Sequence, residues 1–216
     1  MEFNGTFEIT DSGIDEVWDG LSDPAVIERA LPGCVFLVEV DDDAEVNFRE
    51  LADRESDGEP DDADRPSFEE GKSYAALVQV NVGAVTPRFE TVVTIDKREF
   101  PEMEASGEGK SGSSSFEMAS GMTLTETDTG VTVDWWSSAD VFGRIAQMGQ
   151  RLLNPAANKI VQRFFTQIQT EIARENERSD DSQVESRTTE ADEQSTAEAD
   201  GGLTGRFQSF VSRDGK

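Results

Sequence analysis

The chemistry open to this chain is bounded first by what it lacks. There is no histidine among its 216 residues. That removes the side chain most often used as a base near neutral pH and most often used to hold a transition metal. Cys34 is the single cysteine, so no internal disulfide, no thiolate zinc cluster and no Cys-His nucleophile pair can form. Beside Pro32-Gly33 it reads as a small packed residue. The 46 carboxylates are so abundant that no pair stands out as an acid and its base. No metal site and no catalytic residue is expected. Arg88, Arg144, Arg151, Gln147 and Tyr74 are of a type to meet a ligand carbonyl, though such groups are more often solvated surface.

What the chain offers instead is apolar. Trp18, Val78, Val80, Phe89, Val93, Phe116, Met118, Met122, Trp135, Ile145, Met148 and Leu152 either line a cavity for a hydrophobic small molecule or fill a solid core. The methionines suit an adaptable apolar wall. Strand period alone does not say which faces point inward, because a slip of one residue reverses them. Near the C-terminus, Leu203, Phe207, Phe210 and Val211 fall at i, i+4, i+7 and i+8, with Arg206, Arg213 and Lys216 between and after them. This short basic amphipathic segment fits an anionic membrane surface or a groove on a partner. Gly205 weakens its helix, so binding there is weak and reversible.

The elements that would position these residues follow from periodicity. Residues 2–10 alternate as a half-buried strand. Asp11 or Ser12 can cap a short helix carrying Ile14, Val17, Trp18 and Leu21. Ser22-Asp23-Pro24 opens a second helix, which Pro32-Gly33 ends. Cys34–Val40 returns to strand. Between Asp41 and Glu70 stand 14 acids and three arginines, an acidic insertion over 41–71 that continues a strand at 44–51 and is otherwise disordered. Lys72–Val82, Val85–Arg98, Met103–Lys110, Ser113–Glu126 and Val131–Val141 read as strands, with turns at Gly83-Ala84 and Asp128-Thr129-Gly130. Short turns between sequential strands make the sheet antiparallel. A long helical pattern then runs from 141 to about 175. Ile145, Met148, Leu152, Ala156, Ile160, Phe164, Ile168 and Ile172 form one stripe, widened by Val161 and Phe165. Gly143, Gly149 and Asn154-Pro155 punctuate this helix, and Pro155, which forfeits a helix hydrogen bond, should break or hinge it. The predicted architecture is α+β: a curved antiparallel sheet wrapped around a long C-terminal helix, with two short helices after the first strand. Residues 1–176 make this domain, 177–202 an acidic disordered linker, and 203–216 the basic segment.

The formal net charge is −27, with 19 bases of which five are lysines. A nucleic-acid partner is excluded, since that needs a basic footprint. Three readings of the acidity compete: adaptation to a salty cytoplasm, acidic disordered segments on an ordinary domain, or a docking surface for a basic partner. The first is preferred, because acids are spread through strands as well as clustered, and a halophilic source is expected. Met1-Glu2-Phe3-Asn4 is no signal peptide, and no apolar run approaches the ~20 residues that span a bilayer. The expected location is cytoplasmic, with peripheral and reversible membrane association.

Several stretches carry a family resemblance. Asp15-Glu16-Val17-Trp18 with Asp23-Pro24, Leu31-Pro32-Gly33-Cys34, the hairpin from Val78 to Val85, Ser106-Gly107-Glu108-Gly109-Lys110, and Gly143 to Gly149 with Leu152-Leu153 and Phe164-Phe165 occur in one order. Together they resemble the CoxG subunit of carbon monoxide dehydrogenase, within the helix-grip group that includes START domains, polyketide cyclases and Bet v 1-like proteins. The likeness covers residues 1–40 and 72–176. It implies a helix-grip fold with a cavity under the long helix and no enzymatic activity of its own. It also implies a bound quinone or lipid rather than a cofactor, and partnership with a molybdenum hydroxylase or carbon monoxide dehydrogenase that is brought to the membrane. Leu203, Arg206, Phe207, Phe210, Val211 and Arg213 would make the membrane contact. The alternatives are a polyketide cyclase-like enzyme and a ligand-free assembly factor for the molybdenum enzyme.

Overall fold

The computed structural model describes residues 1–41, 45–57 and 66–197. Chain order begins with β1 (Glu2–Thr10), α1 (Ile14–Ser22), α2 (Pro24–Ala30) and β2 (Cys34–Val40). The insertion contributes α3 (Phe48–Asp57). The strands β3 (Ser73–Gln79), β4 (Arg88–Glu99), β5 (Glu102–Ser111), β6 (Ser114–Thr127) and β7 (Gly130–Gly143) follow, and α4 (Gln150–Ala197) comes last. The seven strands form one antiparallel sheet in the order β1-β7-β6-β5-β4-β3-β2. Alternation of residue type dictates these strands, and the architecture is the predicted one. The chain divides into two compact units, Met1–Asn176 and Glu177–Lys216.

Local chemistry accounts for most boundaries. Asp23 caps α2, its carboxylate accepting from the Ala25 N–H at 2.7 Å, with Pro24 in the first turn. The cap of α1 is Gly13 rather than Asp11 or Ser12; its N–H donates to the Glu16 carboxylate at 2.9 Å. Gly33 turns the chain into β2 at φ +85, where a Cβ would fall 2.0 Å from the Gln79 carbonyl oxygen, so only glycine fits.

The inner face of the sheet packs on α1, α2 and the C-terminal part of the first unit's helix. Ile9, Val17, Leu21, Val26, Val131, Val133, Phe165, Ile168 and Ile172 belong to one buried cluster. Phe7 stacks on Phe165 with ring centroids 4.9 Å apart. Each large apolar side chain buried here contributes about 1.5–3 kcal/mol. Gly20 lets α1 approach α4 closely, since a Cβ there would come 2.7 Å from Ile172. A second cluster joins Val82, Phe89, Ile145 and Leu153 at the other end of the same face.

Three expectations need correction. The insertion does not continue a strand at 44–51. Phe48, Leu51 and Ala52 lie on α3 and pack, with Val46, against Phe36, Ala75 and Leu77 on the outer face of β2 and β3. The expected break in the long stripe falls at Gly149 and not at Asn154-Pro155. A short 3-10 turn at Ala146–Met148 ends at Gly149, whose φ of 77 and ψ of 158 reset the phase before α4 begins. Pro155 does not interrupt α4 but lies inside it. The bond it forgoes would run to the Arg151 carbonyl, near the helix start on a side where Arg151, Asn154 and Pro155 are all exposed, so solvent can take its place. α4 runs to Ala197, through much of the stretch read as an acidic linker. The basic segment 203–216 lies outside the described residues.

Candidate functional site

The registers define an inner face residue by residue. Val78 pairs with Phe89, Ala76 with Thr91 and Tyr74 with Val93. Across β5, β6 and β7 the same face carries Gly109, Phe116 and Val141, then Gly107, Met118 and Ala139, then Ala105, Ser120 and Ser137, then Met103, Met122 and Trp135. On β1 it carries Phe3, Gly5, Phe7 and Ile9. In a solid core the inward residues of central strands are fully buried. Here Phe116, Met118, Ser120, Met122, Trp135, Ser137, Ala139 and Val141 are only half-buried. Val93, Met118 and Ala139 pack into neither buried cluster. The middle of the sheet therefore retains accessible surface on its inner side, between a core at one end and a smaller apolar plug at the other.

The predicted lining residues distribute as follows. Val93 and Met118 lie in this middle band. Val78, Met122 and Trp135 border it on the side of the main core. Val80, Phe89, Phe116, Ile145 and Met148 belong to the plug. Trp18 is part of the main core, edge-on to Phe100 and beneath the Arg98 guanidinium at 5.3 Å. Leu152 is 47% exposed, and Leu153 takes the inward place. A constant helical period carries the stripe across Gly149 to Leu152, and the backbone there does not keep that period.

The polar groups of the band were missed. Thr91 is buried and its hydroxyl has no hydrogen-bond partner. Ser120 stands opposite Ser137 across β6 and β7. The available signal was their phase: Ser120 shares the alternation of Met118 and Met122, and Ser137 that of Trp135 and Val141. Gly109 makes room for this arrangement, because a Cβ there would come 2.4 Å from the Phe116 ring and 2.8 Å from the Thr91 hydroxyl. Among the described residues, the band carries hydroxyls but no carboxylate, amine or guanidinium. Tyr74 is spent elsewhere, its hydroxyl accepting from the Glu69 N–H at 3.1 Å. Arg88, Arg144, Gln147 and Arg151 are exposed.

At the plug end a pocket of about 130 Å³ opens between the Pro32-Gly33 turn, Gln79, Val80 and Asn81 of the strand end, and Ala156, Lys159, Ile160 and Arg163 of α4. A shallower groove of about 420 Å³ lies on the outer side, between β2 and the insertion, and includes Glu39, Asp41, Glu45 and Glu50. Cys34 lies near the first of these regions and donates to the Phe36 carbonyl at 3.3 Å. Burial, assisted by the nearby Glu28 charge, pushes its thiol up to about 12, so it is not a nucleophile at neutral pH. Glu171 is the one buried carboxylate among the described residues, and Arg29 and Arg174 both hold it at 2.8 Å. No cluster of metal-ligating side chains occurs among the described residues, and none of their helices is long and apolar enough to cross a membrane.

A curved antiparallel sheet against a long C-terminal helix, with two short helices after the first strand, defines a helix-grip domain. The family model for the CoxG subunit of carbon monoxide dehydrogenase matches residues 66–173, half of the chain, and the chain belongs to that family. Among curated proteins none matches. Among solved structures, a conserved protein from Geobacillus kaustophilus is similar at 23% identity and a TM-score of 0.61, covering 81% of this chain and 96% of its own. The Zhui aromatase/cyclase from a Streptomyces species is similar at 9% identity and a TM-score of 0.52, covering 81% and 94%. A protein from Thermus thermophilus is similar at 10% identity and the same TM-score, covering 80% and 97%. These likenesses concern the fold alone.

Proposed function

We propose that this protein is a non-enzymatic carrier and adaptor. It holds a hydrophobic small molecule, a quinone or another isoprenoid-like lipid, in the band between the two apolar clusters. It serves a molybdenum-containing enzyme of the carbon monoxide dehydrogenase type, which the family name supports, and links that enzyme to the membrane. The observation that carries this reading is the half-buried inner face of β6 and β7 beneath a helix that closes the rest of the sheet. An apolar void costs roughly 24 cal/mol per Å³, and a ligand that fills it removes that cost. The hydroxyls of Thr91, Ser120 and Ser137 suit a ligand with a carbonyl at one end and hydrocarbon elsewhere. A cyclase-like activity would need a positioned acid or base, and the band supplies none among the described residues.

The test is lipid extraction and native mass spectrometry after mild purification. A stoichiometric apolar ligand is expected, and an empty extract with an unshifted native mass overturns the reading. The second part, reversible attachment through Leu203, Arg206, Phe207, Phe210, Val211 and Arg213, is tested by vesicle flotation of the chain and of its Phe207→Ser/Phe210→Ser variant. Equal flotation removes the tail from the mechanism.

A further inference from the structure

Charge is distributed very unevenly over this domain. Acids make up 46 of 216 residues, yet none occurs from Val141 to Thr170, a run with Arg144, Arg151, Lys159 and Arg163 in it. None occurs from Ala30 to Val38, from Gly71 to Phe89 or from Gly109 to Phe116 either. The fold brings parts of all four stretches to one end. The 130 Å³ pocket joins Pro32-Gly33, Gln79–Asn81 and Ala156–Arg163. A Cβ on Gly83 would lie 3.7 Å from Met148. Arg144 donates its N–H to the Ser113 carbonyl in the β5–β6 turn. Glu2, Glu90, Glu108, Glu117 and Asp140 border this end, and all five are exposed at the outward phase of the pleat. At the opposite end acids return in Asp15, Glu16, Asp19, Glu99, Glu102, Glu126 and Asp128.

The bases at the acid-free end are available. Arg88, Arg144, Arg151, Lys159 and Arg163 are exposed, and among the described residues none of them makes an ion pair. Lys72, Lys97 and Lys110, by contrast, all pair with glutamates. Three large apolar side chains are also exposed on the elements of this end: Val85 at 46%, Phe142 at 48% and Leu152 at 47%.

We propose that this end docks on a bilayer bearing anionic headgroups, with Val85, Phe142 and Leu152 entering the interface and Arg144, Arg151, Lys159 and Arg163 meeting phosphates. Charge complementarity selects an anionic surface for this end, where the exposed bases lack acidic neighbours, whereas the opposite end carries Asp15, Glu16, Asp19, Glu99, Glu102, Glu126 and Asp128. Apolar residues among the bases select lipid over an acidic protein, since such a mixture matches the bilayer interface. This contact is separate from the C-terminal segment. It rests on the carrier reading in one respect: it places the plug against the lipid from which an apolar ligand would be loaded.

The test uses the full chain in flotation with phosphatidylglycerol-containing vesicles and with phosphatidylcholine vesicles, at one moderate salt concentration. Binding is expected to need phosphatidylglycerol, and each base neutralised in Arg151→Gln/Lys159→Gln/Arg163→Gln should weaken it about fivefold. Val85→Ser/Leu152→Ser should weaken it further. All five side chains are exposed, so thermal melts should stay unchanged. If these variants float like the parent chain while Phe207→Ser/Phe210→Ser does not float, the contact belongs to the tail and the proposal is overturned. Equal flotation on both vesicle types, or none on either, overturns it as well. Ligand content measured in the same preparations separates the two ideas. Dependence on Arg151, Lys159, Arg163, Val85 and Leu152 with an empty extract leaves the docking face standing and removes the carrier reading, whereas a ligand with no such dependence does the reverse.

Discussion

Ser120 on β6 stands directly opposite Ser137 on β7, two hydroxyls on the inner face of a sheet whose neighbouring inward positions are mostly apolar. Neither is fully buried. Enlarging side chains in a packed core costs about 1–3 kcal/mol. On the carrier reading a ligand occupies the space in front of these serines, so Ser120→Leu/Ser137→Leu should lose less than about 1 kcal/mol in denaturant unfolding. The same variant should lose its apolar ligand in the extract. A large stability loss would mean that the band is filled by protein.

The two apolar clusters should respond differently to truncation. Ile168 is fully buried in the main core, and Ile168→Ala should cost about 2–5 kcal/mol. Leu153 belongs to the small plug, where its neighbours can relax into accessible space. Leu153→Ala should cost less than Ile168→Ala while speeding exchange of a fluorescent apolar ligand. Similar stability losses with unchanged exchange would remove the distinction between core and plug.

Arg29 on α2 clamps α4 through Glu171, and Arg174 holds the other carboxylate oxygen. Hydrogen bonds to charged groups contribute about 1.5–3 kcal/mol. Arg29→Met should fall in that range, and Glu171→Gln should be affected less than Glu171→Ala, because the amide oxygen still accepts. Chemical denaturation of the three variants reads the order.

Cys34 should be nearly inert in the folded domain. With its thiol pushed up from 9.0 to about 12, the thiolate fraction near pH 8 falls roughly a thousandfold. Iodoacetamide should therefore label it slowly until denaturant is added. The sign for stability is definite. The unfolded chain ionises first, so this group erodes stability as pH climbs above about 9, its ordinary value. Rapid labelling under native conditions would contradict that burial.

Much of the fold was legible in the sequence because alternation is a strong signal where one face of a strand is wet, as in β1. The first turn of α2 was legible for a different reason, since Asp23-Pro24 states its own cap chemistry. The insertion's helix was obscured by composition. Its signal, Phe48, Leu51 and Ala52 at i, i+3 and i+4, is brief and set among acids. Gly149 is a weaker signal than Pro155 to the eye, although a positive φ breaks a helix outright while a proline near an exposed helix start forgoes one solvent-facing bond. The candidate site was legible only as a face. Period groups Met118 with Phe116 and Met122, and Val93 with Phe89, but which face turns inward is fixed by register and how deeply it is covered by where the helix comes to rest, and no local pattern encodes either.

The α3 helix of the insertion packs on the outside of β2 and β3, while α2 and the main core cover their inside. Five consecutive residues of β3, Ser73–Leu77, are consequently buried, and β6 has only Leu124 in that class. Amide hydrogens on β3 should therefore exchange only on global unfolding, and those on β6 and β7 through smaller openings. The sheet is a single ladder of bonds, but it holds a gradient of local stability, with its fastest breathing in the strands whose inner face is only half-buried.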